Sequence, residues 1–153
     1  SIKIAQGENA IFNMSPNPIS FGINSSVSGT SGGTISPSNN NISSNAYNYL
    51  SALNIDGNAN QLSAATGNVS ATTQYTFENV FSSHTISATF SLAPGSKLFT
   101  MMPNSDFYLK TLTVNGLNQV SGVTGNISGA STYTITNVIS DSTIVALFKP
   151  YGE

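Results

Sequence analysis

Apolar and polar residues alternate along much of the chain with a period of two, which is typical of half-buried β-strands. In residues 84–90, Ile86, Ala88 and Phe90 fall on one face, and only Ser and Thr separate them. Tyr49, Leu53 and Ile55 alternate in the same way, and no stretch of ten residues shows a convincing helical period. The pattern therefore predicts an all-β fold.

Two of the predicted strands end in dipeptides that favour tight hairpin turns. Asp56-Gly57 and Asn115-Gly116 occupy matching places after residues 49–55 and 108–114. Asp-Gly and Asn-Gly suit two-residue turns because these residues tolerate positive φ.

An internal repeat is the strongest feature of the sequence. Residues 75–90 read YTFENVFSSHTISATF, residues 133–148 read YTITNVISDSTIVALF, and nine of these 16 positions are identical. Upstream, YLSALNIDG (49–57) matches YLKTLTVNG (108–116), at an offset of 59 instead of 58. The sequence thus predicts two tandem repeat units, each built like a β-sheet or β-sandwich.

A third match places an insertion in the first copy. AIFNMSPN (10–17) resembles KLFTMMPN (97–104) at an offset of 87, so the first copy carries roughly 28 additional residues (87 against 59). This insert, about 18–46, is rich in Ser, Gly and Asn and predicts a long loop, although its GTISPS segment favours a short strand in a sheet. The predicted domains are a first repeat unit over 1–92, which includes an N-terminal strand and the insert, and a second over 93–153.

The matched residues resemble the divergent internalin-type B-repeat family of bacterial and archaeal cell-surface proteins. The shared pattern is Y-T-F-x-N-V-x-x-x-H-T-I-x-A-x-F, preceded by F-x-M-x-P-N and Y-x-x-x-L-x-V-x-G. It covers roughly 49–90 and 96–148 together with 7–17, and the second copy has Ser142 in the place of His84. The resemblance implies a structural or adhesive role outside the cell, and it transfers no catalytic residues.

Composition excludes several classes of function. Charged residues make up 7% of the chain, against about 25% in ordinary domains. Four Lys, no Arg and a net charge of −2 argue against nucleic-acid binding. Without Cys there is no disulfide scaffold or thiolate site, and one His cannot form a multi-histidine metal centre. The sequence has no window of 18 apolar residues, so it predicts no membrane-spanning helix.

The same composition favours an extracellular location. The chain has 25 Ser, 16 Thr and 19 Asn, and it begins with Ser, which we interpret as a processed N-terminus. We therefore expect a secreted protein of the cell surface.

Candidate chemical sites each have a plainer structural explanation. His84 lies beside Ser82 and Ser83, with Asp141 near the equivalent position of the second copy, but a histidine in a turn before a strand explains it better. Asp56, Asn58 and Asn60 have the alternate spacing of a calcium loop, yet Gln61 and Gly67 stand where such a loop needs Gly and Glu. SGTSGGT (28–34) is interpreted as a flexible loop. The sequence predicts no catalytic residue, metal or cofactor.

Five N-x-S/T sequons are possible glycosylation sites: Asn13, Asn24, Asn41, Asn68 and Asn126. About five would occur by chance at this composition, but Asn68 and Asn126 occupy the same place in the two copies. Glycans are therefore possible partners of a surface protein.

Two functions remain open. The first is a self-assembling subunit of an extracellular filament or pilus, sheath or surface layer, a homopolymer in which an N-terminal strand is donated to a neighbouring subunit. Its predicted assembly interface comprises Ile2 and Ile4 in the alternating segment IKIAQ, and Val145 and Leu147, which make strand 142–148 apolar on both faces. The second is a monomeric adhesin or carbohydrate-binding module of a larger surface protein. Six scattered acids and one His argue against an enzyme.

Overall fold

A computed structural model of the chain describes residues 6–29 and 31–153. These residues form fourteen strands and two short 3-10 turns, Leu62–Ala64 and Val120–Gly122, and the described part contains no α-helix. The prediction of an all-β fold is confirmed. The strands are β1 (Ala10–Met14), β2 (Gly22–Val27), β3 (Gly33–Ser36), β4 (Ile42–Ser43), β5 (Tyr47–Ile55), β6 (Thr66–Gly67), β7 (Thr73–Phe77), β8 (Ile86–Ala93), β9 (Gly95–Pro103), β10 (Phe107–Val114), β11 (Leu117–Asn118), β12 (Thr124–Gly125), β13 (Ser131–Val138) and β14 (Ser142–Pro150).

The chain divides into two compact units that alternate along the sequence. The described part of unit 1 comprises 6–19 and Tyr47–Ala93, and unit 2 comprises Ser20–Ala46 and Pro94–Glu153. The predicted domain boundaries, 1–92 and 93–153, are therefore wrong for the insert. Residues 20–46 interrupt unit 1 in sequence but fold into unit 2.

Unit 2 contains two sheets that enclose one core. The first has the strand order β11-β10-β14-β2-β4, and the second has the order β12-β13-β9-β3. Both contribute to a cluster of twelve buried residues, among which Phe99, Leu109, Leu112 and Phe148 are almost inaccessible to solvent. Inward-facing apolar residues on two facing sheets are the pattern of a β-sandwich.

The insert belongs to unit 2 because its three strands, β2, β3 and β4, extend these sheets. Strand β2 runs parallel to β14, and β3 runs antiparallel to β9. Each brings one isoleucine, Ile23 or Ile35, into the core of unit 2. The short strand expected in GTISPS is confirmed as β3.

The interpretation of residues 28–34 as a flexible loop is wrong at its C-terminal end. Gly32 and Gly33 are buried, and Gly33 begins β3. A Cβ on Gly33 would lie 2.6 Å from the Met102 carbonyl oxygen and 2.8 Å from Cζ of Phe148. The second glycine therefore serves close packing of backbone against the core.

Unit 1 contains two smaller sheets. One has the order β1-β7-β6, and the other pairs β5 with β8 alone. Its core cluster has four buried residues, Ala10, Leu53, Ile55 and Phe77, with further side chains packed against them that stay partly exposed.

Both predicted hairpin turns are present. Asp56 and Gly57 have φ values of 51° and 76°, and Asn115 and Gly116 have 49° and 85°. Two successive residues with positive φ define the type I′ turn, whose twist matches that of the flanking strands.

Candidate functional site

The main difference between the two units lies at one side of unit 1, which we call the open side. It is formed by β1 and β8, each of which has a single neighbouring strand among residues 6–29 and 31–153. Their equivalents in the internal repeat, β9 and β14, lie between two strands. The additional neighbours in unit 2 are β3 and β2, both of which come from the insert.

Apolar side chains on the open side are less buried than their equivalents in unit 2. Phe90 on β8 is 42% exposed, whereas Phe148 on β14 is 2% exposed. The same direction of change separates four further pairs of equivalent residues: Ile86 and Ile144, Ala88 and Ala146, Phe12 and Phe99, and Met14 and Met101.

The inner faces of β5 and β7 do not show this loss of burial. On β5, Leu50, Leu53 and Ile55 are buried like their equivalents on β10, and Phe77 on β7 is buried like Ile135 on β13. The pairing of Leu50 with Phe90 and of Leu53 with Ala88 places these β8 residues on the core-facing side of their sheet. Unit 1 therefore carries a core whose lateral edge is uncovered by described residues.

The predicted interface residues Val145 and Leu147 lie on the outer face of β14 and are half-buried. Their neighbours on the adjacent strands are uncharged: Val145 is flanked by Thr113 and Ser26, and Leu147 by Thr111. A Cβ on Gly29 would lie 3.7 Å from Cδ1 of Leu147, so the chain after β2 covers part of this face. Ile2 and Ile4 lie outside the described residues.

His84 forms a structural pair with Asp56. Its Nδ1 lies 2.7 Å from Oδ2 of Asp56, and its ring stacks on Phe77 with centroids 4.8 Å apart. Oδ1 of Asp56 accepts the Thr85 N–H at 2.9 Å. The hydrogen bond with His84, followed by the one from Thr85, lowers the pKa of the Asp56 carboxyl from its ordinary value.

The second copy reproduces this arrangement without charge. Oδ1 of Asn115 accepts the Thr143 N–H at 2.9 Å, and Nδ2 of Asn115 donates to Oγ of Ser142 at 3.4 Å. In both copies the first turn residue thus binds the backbone near the start of the strand that pairs with the one before the turn, β8 in the first copy and β14 in the second. The Asp141 carboxylate accepts the Gly22 N–H at 2.9 Å. Among the described residues, His84 forms its side-chain hydrogen bond with Asp56 and not with Asp141.

The calcium-like spacing of Asp56, Asn58 and Asn60 serves the turn. Both Asp56 oxygens are engaged by His84 and Thr85, and Oδ1 of Asn60 accepts the Leu62 N–H. Within residues 6–29 and 31–153, no three His, Cys, Asp or Glu side chains are grouped closely enough to share a metal ion.

All five sequon asparagines are exposed. Asn68 and Asn126 make matching turns, because Oδ1 of Asn68 accepts the Ser70 N–H at 3.0 Å and Oδ1 of Asn126 accepts the Ser128 N–H at 2.9 Å. Asn24 instead holds Asn41 through a 2.7 Å bond from the Asn41 N–H. The structure leaves glycosylation as a prediction at Asn13, Asn24, Asn41, Asn68 and Asn126.

Helices able to cross a membrane are absent from the described part of the chain. Comparisons of the chain with protein-family models, with curated proteins and with solved structures find no match. The resemblance to B-repeats of the internalin type therefore stays a prediction.

Sequence reasoning did not find the open side. It placed Ile86, Ala88 and Phe90 on one face of a half-buried strand, but assigned the insert to the first repeat unit. The available signal was the pair of short β-prone segments around Ile23 and Ile35, each of which forms a strand that must pair with a sheet. A sequence pattern does not say which sheet receives them.

Proposed function

We propose that this protein is a secreted, non-enzymatic structural subunit that assembles with copies of itself at the cell surface. The assembly is an extracellular filament or pilus, a sheath or a surface layer, and the N-terminal strand of one subunit is donated to a neighbouring one. The non-enzymatic part rests on the composition, which offers one His, no Cys and scattered acids.

The open side of unit 1 is the observation that carries this proposal. An edge strand with unpaired N–H and C=O groups is a template for pairing with another chain. Here the edge is combined with exposed core-facing side chains, foremost Phe90. Burial of a large apolar side chain stabilises a contact by about 1.5–3 kcal/mol, so covering the open side favours association.

The weakly charged surface supports lateral contacts between copies. Charged residues make up 7% of the chain, and hydroxyl and amide groups meet without the desolvation cost of charges. A contact between two different surfaces that does not close on itself makes a filament rather than a ring.

Electron microscopy and light scattering of the purified full chain test this proposal. We expect ordered filaments, tubes or sheets from the parent and a monomer from Phe90→Ser, because the change removes apolar area from the open side. Ile11→Ser is the matched control, since Ile11 on β1 is 59% exposed and is not part of the core cluster of unit 1. Thermal unfolding confirms that both variants are folded.

A parent protein that stays monomeric under all conditions contradicts self-assembly and favours the adhesin or carbohydrate-binding module. Equal polymerisation of Phe90→Ser and Ile11→Ser contradicts the role of the open side.

A further inference from the structure

Unit 2 shows how the open edge of β8 is completed in an equivalent unit. Strand β2 pairs with β14 in parallel, with Ser25 opposite Ile144 and Val27 opposite Ala146. The buried residues Ile23 and Ser25 of β2 face the core, and Asn24 and Ser26, which alternate with them, are exposed. A strand of about five residues with alternate inward positions is therefore what this kind of edge accepts.

The same backbone groups are available on β8. The Ser28 N–H donates to the Ala146 carbonyl at 2.9 Å, so Ala146 directs its carbonyl toward the side of β2. Ala88 is the equivalent residue, and its neighbour on the other side, Leu53, belongs to β5. Thr85 directs its carbonyl to the Asp56 N–H, toward β5. Since direction alternates along a strand, Ile86 and Ala88 present their N–H and C=O groups to the open edge.

Of the two open edges, β8 is the one in greater need of a partner. It belongs to a sheet of only two strands, whereas β1 belongs to a sheet of three. A two-stranded ribbon is marginal by itself. The most exposed core-facing aromatic residue, Phe90, is also on β8, while Phe12 and Met14 on β1 stay half-buried.

Residues 1–5 of the chain have the required sequence. SIKIA places Ile2 and Ile4 on one face and Lys3 on the other, which matches the inward and outward alternation of β2. Apolar residues of the donor meet apolar residues of β8 when Ile2 lies opposite Ile86 and Ile4 opposite Ala88. His84, two residues before Ile86, already forms a hydrogen bond with Asp56.

We infer that the free edge of β8 accepts residues 1–5 of a second copy of the chain as a parallel strand, with Ile2 and Ile4 turned toward the core of unit 1. This inference rests on the proposed self-assembly and names the edge, direction and register that it uses. In unit 2, β2 fills the equivalent edge from within the chain.

Engineered disulfides test the inference in the full chain, which has no Cys of its own. Two single variants, Ile4→Cys and Ala88→Cys, are mixed, oxidised mildly and analysed by non-reducing electrophoresis and intact mass. We expect a covalent dimer with one copy of each. The control mixture is Ile4→Cys with Ser87→Cys; since thiols on opposite strand faces cannot be bridged without backbone movement, we expect cross-linking to be about tenfold slower or more.

A second control uses the edge that is already occupied. Ala146→Cys is equivalent to Ala88→Cys but lies opposite Val27 of β2, so it is expected not to cross-link with Ile4→Cys.

The outcomes separate this inference from the proposed function when electron microscopy is applied to the same mixtures. Polymers with the Ile4–Ala88 link support both. Polymers with no such link, or with equal linking to Ser87, overturn the assignment of β8 and leave self-assembly standing. A double variant Ile4→Cys/Ala88→Cys that forms only a link within one monomer shows that residues 1–5 fill their own edge, which overturns the inference. If neither polymers nor cross-links form, both the proposed self-assembly and the assignment of β8 are wrong.

Discussion

Asp56 and Asn115 perform the same local task with different chemistry. Each begins a type I′ turn and accepts, at 2.9 Å, a backbone N–H near the start of the strand that pairs with the one before the turn, β8 for Asp56 and β14 for Asn115. Asp56 adds a charged hydrogen bond to His84, which lowers its pKa. The Asp56–His84 pair is therefore structural: it ties the turn after β5 to the residues just before β8, the strand with which β5 pairs.

The lowered pKa of Asp56 predicts an acid dependence that Asp56→Asn removes. An unfolded Asp has a pKa of about 3.9. The folded protein therefore gains stability from the ionised carboxylate above that pH and loses it as the pH falls through the lower pKa of the folded state. The melting temperature of the parent is expected to fall more steeply below about pH 4 than that of Asp56→Asn. The variant keeps a side-chain oxygen that can accept the Thr85 N–H, as Asn115 accepts that of Thr143. Parallel curves of melting temperature against pH for the two proteins would show that the pair does not contribute.

At the scale of elements, the insert strands explain why unit 2 has the larger core. Strand β2 and strand β3 extend one sheet each and bury one isoleucine each. Equivalent strands are absent from unit 1 among residues 6–29 and 31–153. Within the described residues, the same structural plan is therefore complete in unit 2 and open in unit 1.

Truncation of Ile23 tests the contribution of the insert to unit 2. Ile23 is fully buried, so Ile23→Ala is expected to cost about 2–5 kcal/mol of the free energy of unfolding. The exposed Ile11→Ala is expected to change it by no more than about 0.5 kcal/mol. Urea unfolding followed through the amide signals of β14 measures both variants. Equal midpoints for the two would mean that β2 does not support the core.

The sequence predicts the elements whose causes are local. Alternation predicts the strands, and Asp-Gly and Asn-Gly predict the turns, because each depends on residues close in the chain. The placement of residues 20–46 depends on pairing with β14 and β9, more than 60 residues further along, and no local pattern encodes that choice. For the same reason alternation predicts that Phe90 shares a face with Ile86 and Ala88, but it does not predict the 42% exposure of Phe90, which depends on whether a further strand covers β8.

At the scale of the whole molecule, the central claim is that copies assemble through the open side of unit 1. Among the described residues, the exposed core-facing side chains lie on β1 and β8, whereas β5 and β7 bury theirs like β10 and β13. Association that adds a strand there would satisfy backbone groups and cover apolar area in one step.

Hydrogen exchange of β8 in the assembled and unassembled protein is the most direct measurement of this claim. In the assembly, the amides of Ile86 and Ala88 are predicted to exchange much more slowly than in the monomer, because they gain partners at the open edge. The amide of Ser87, which faces β5, and those of β14, which are already paired on both sides, serve as internal controls. Unchanged exchange at Ile86 and Ala88 in an assembled sample would contradict the claim.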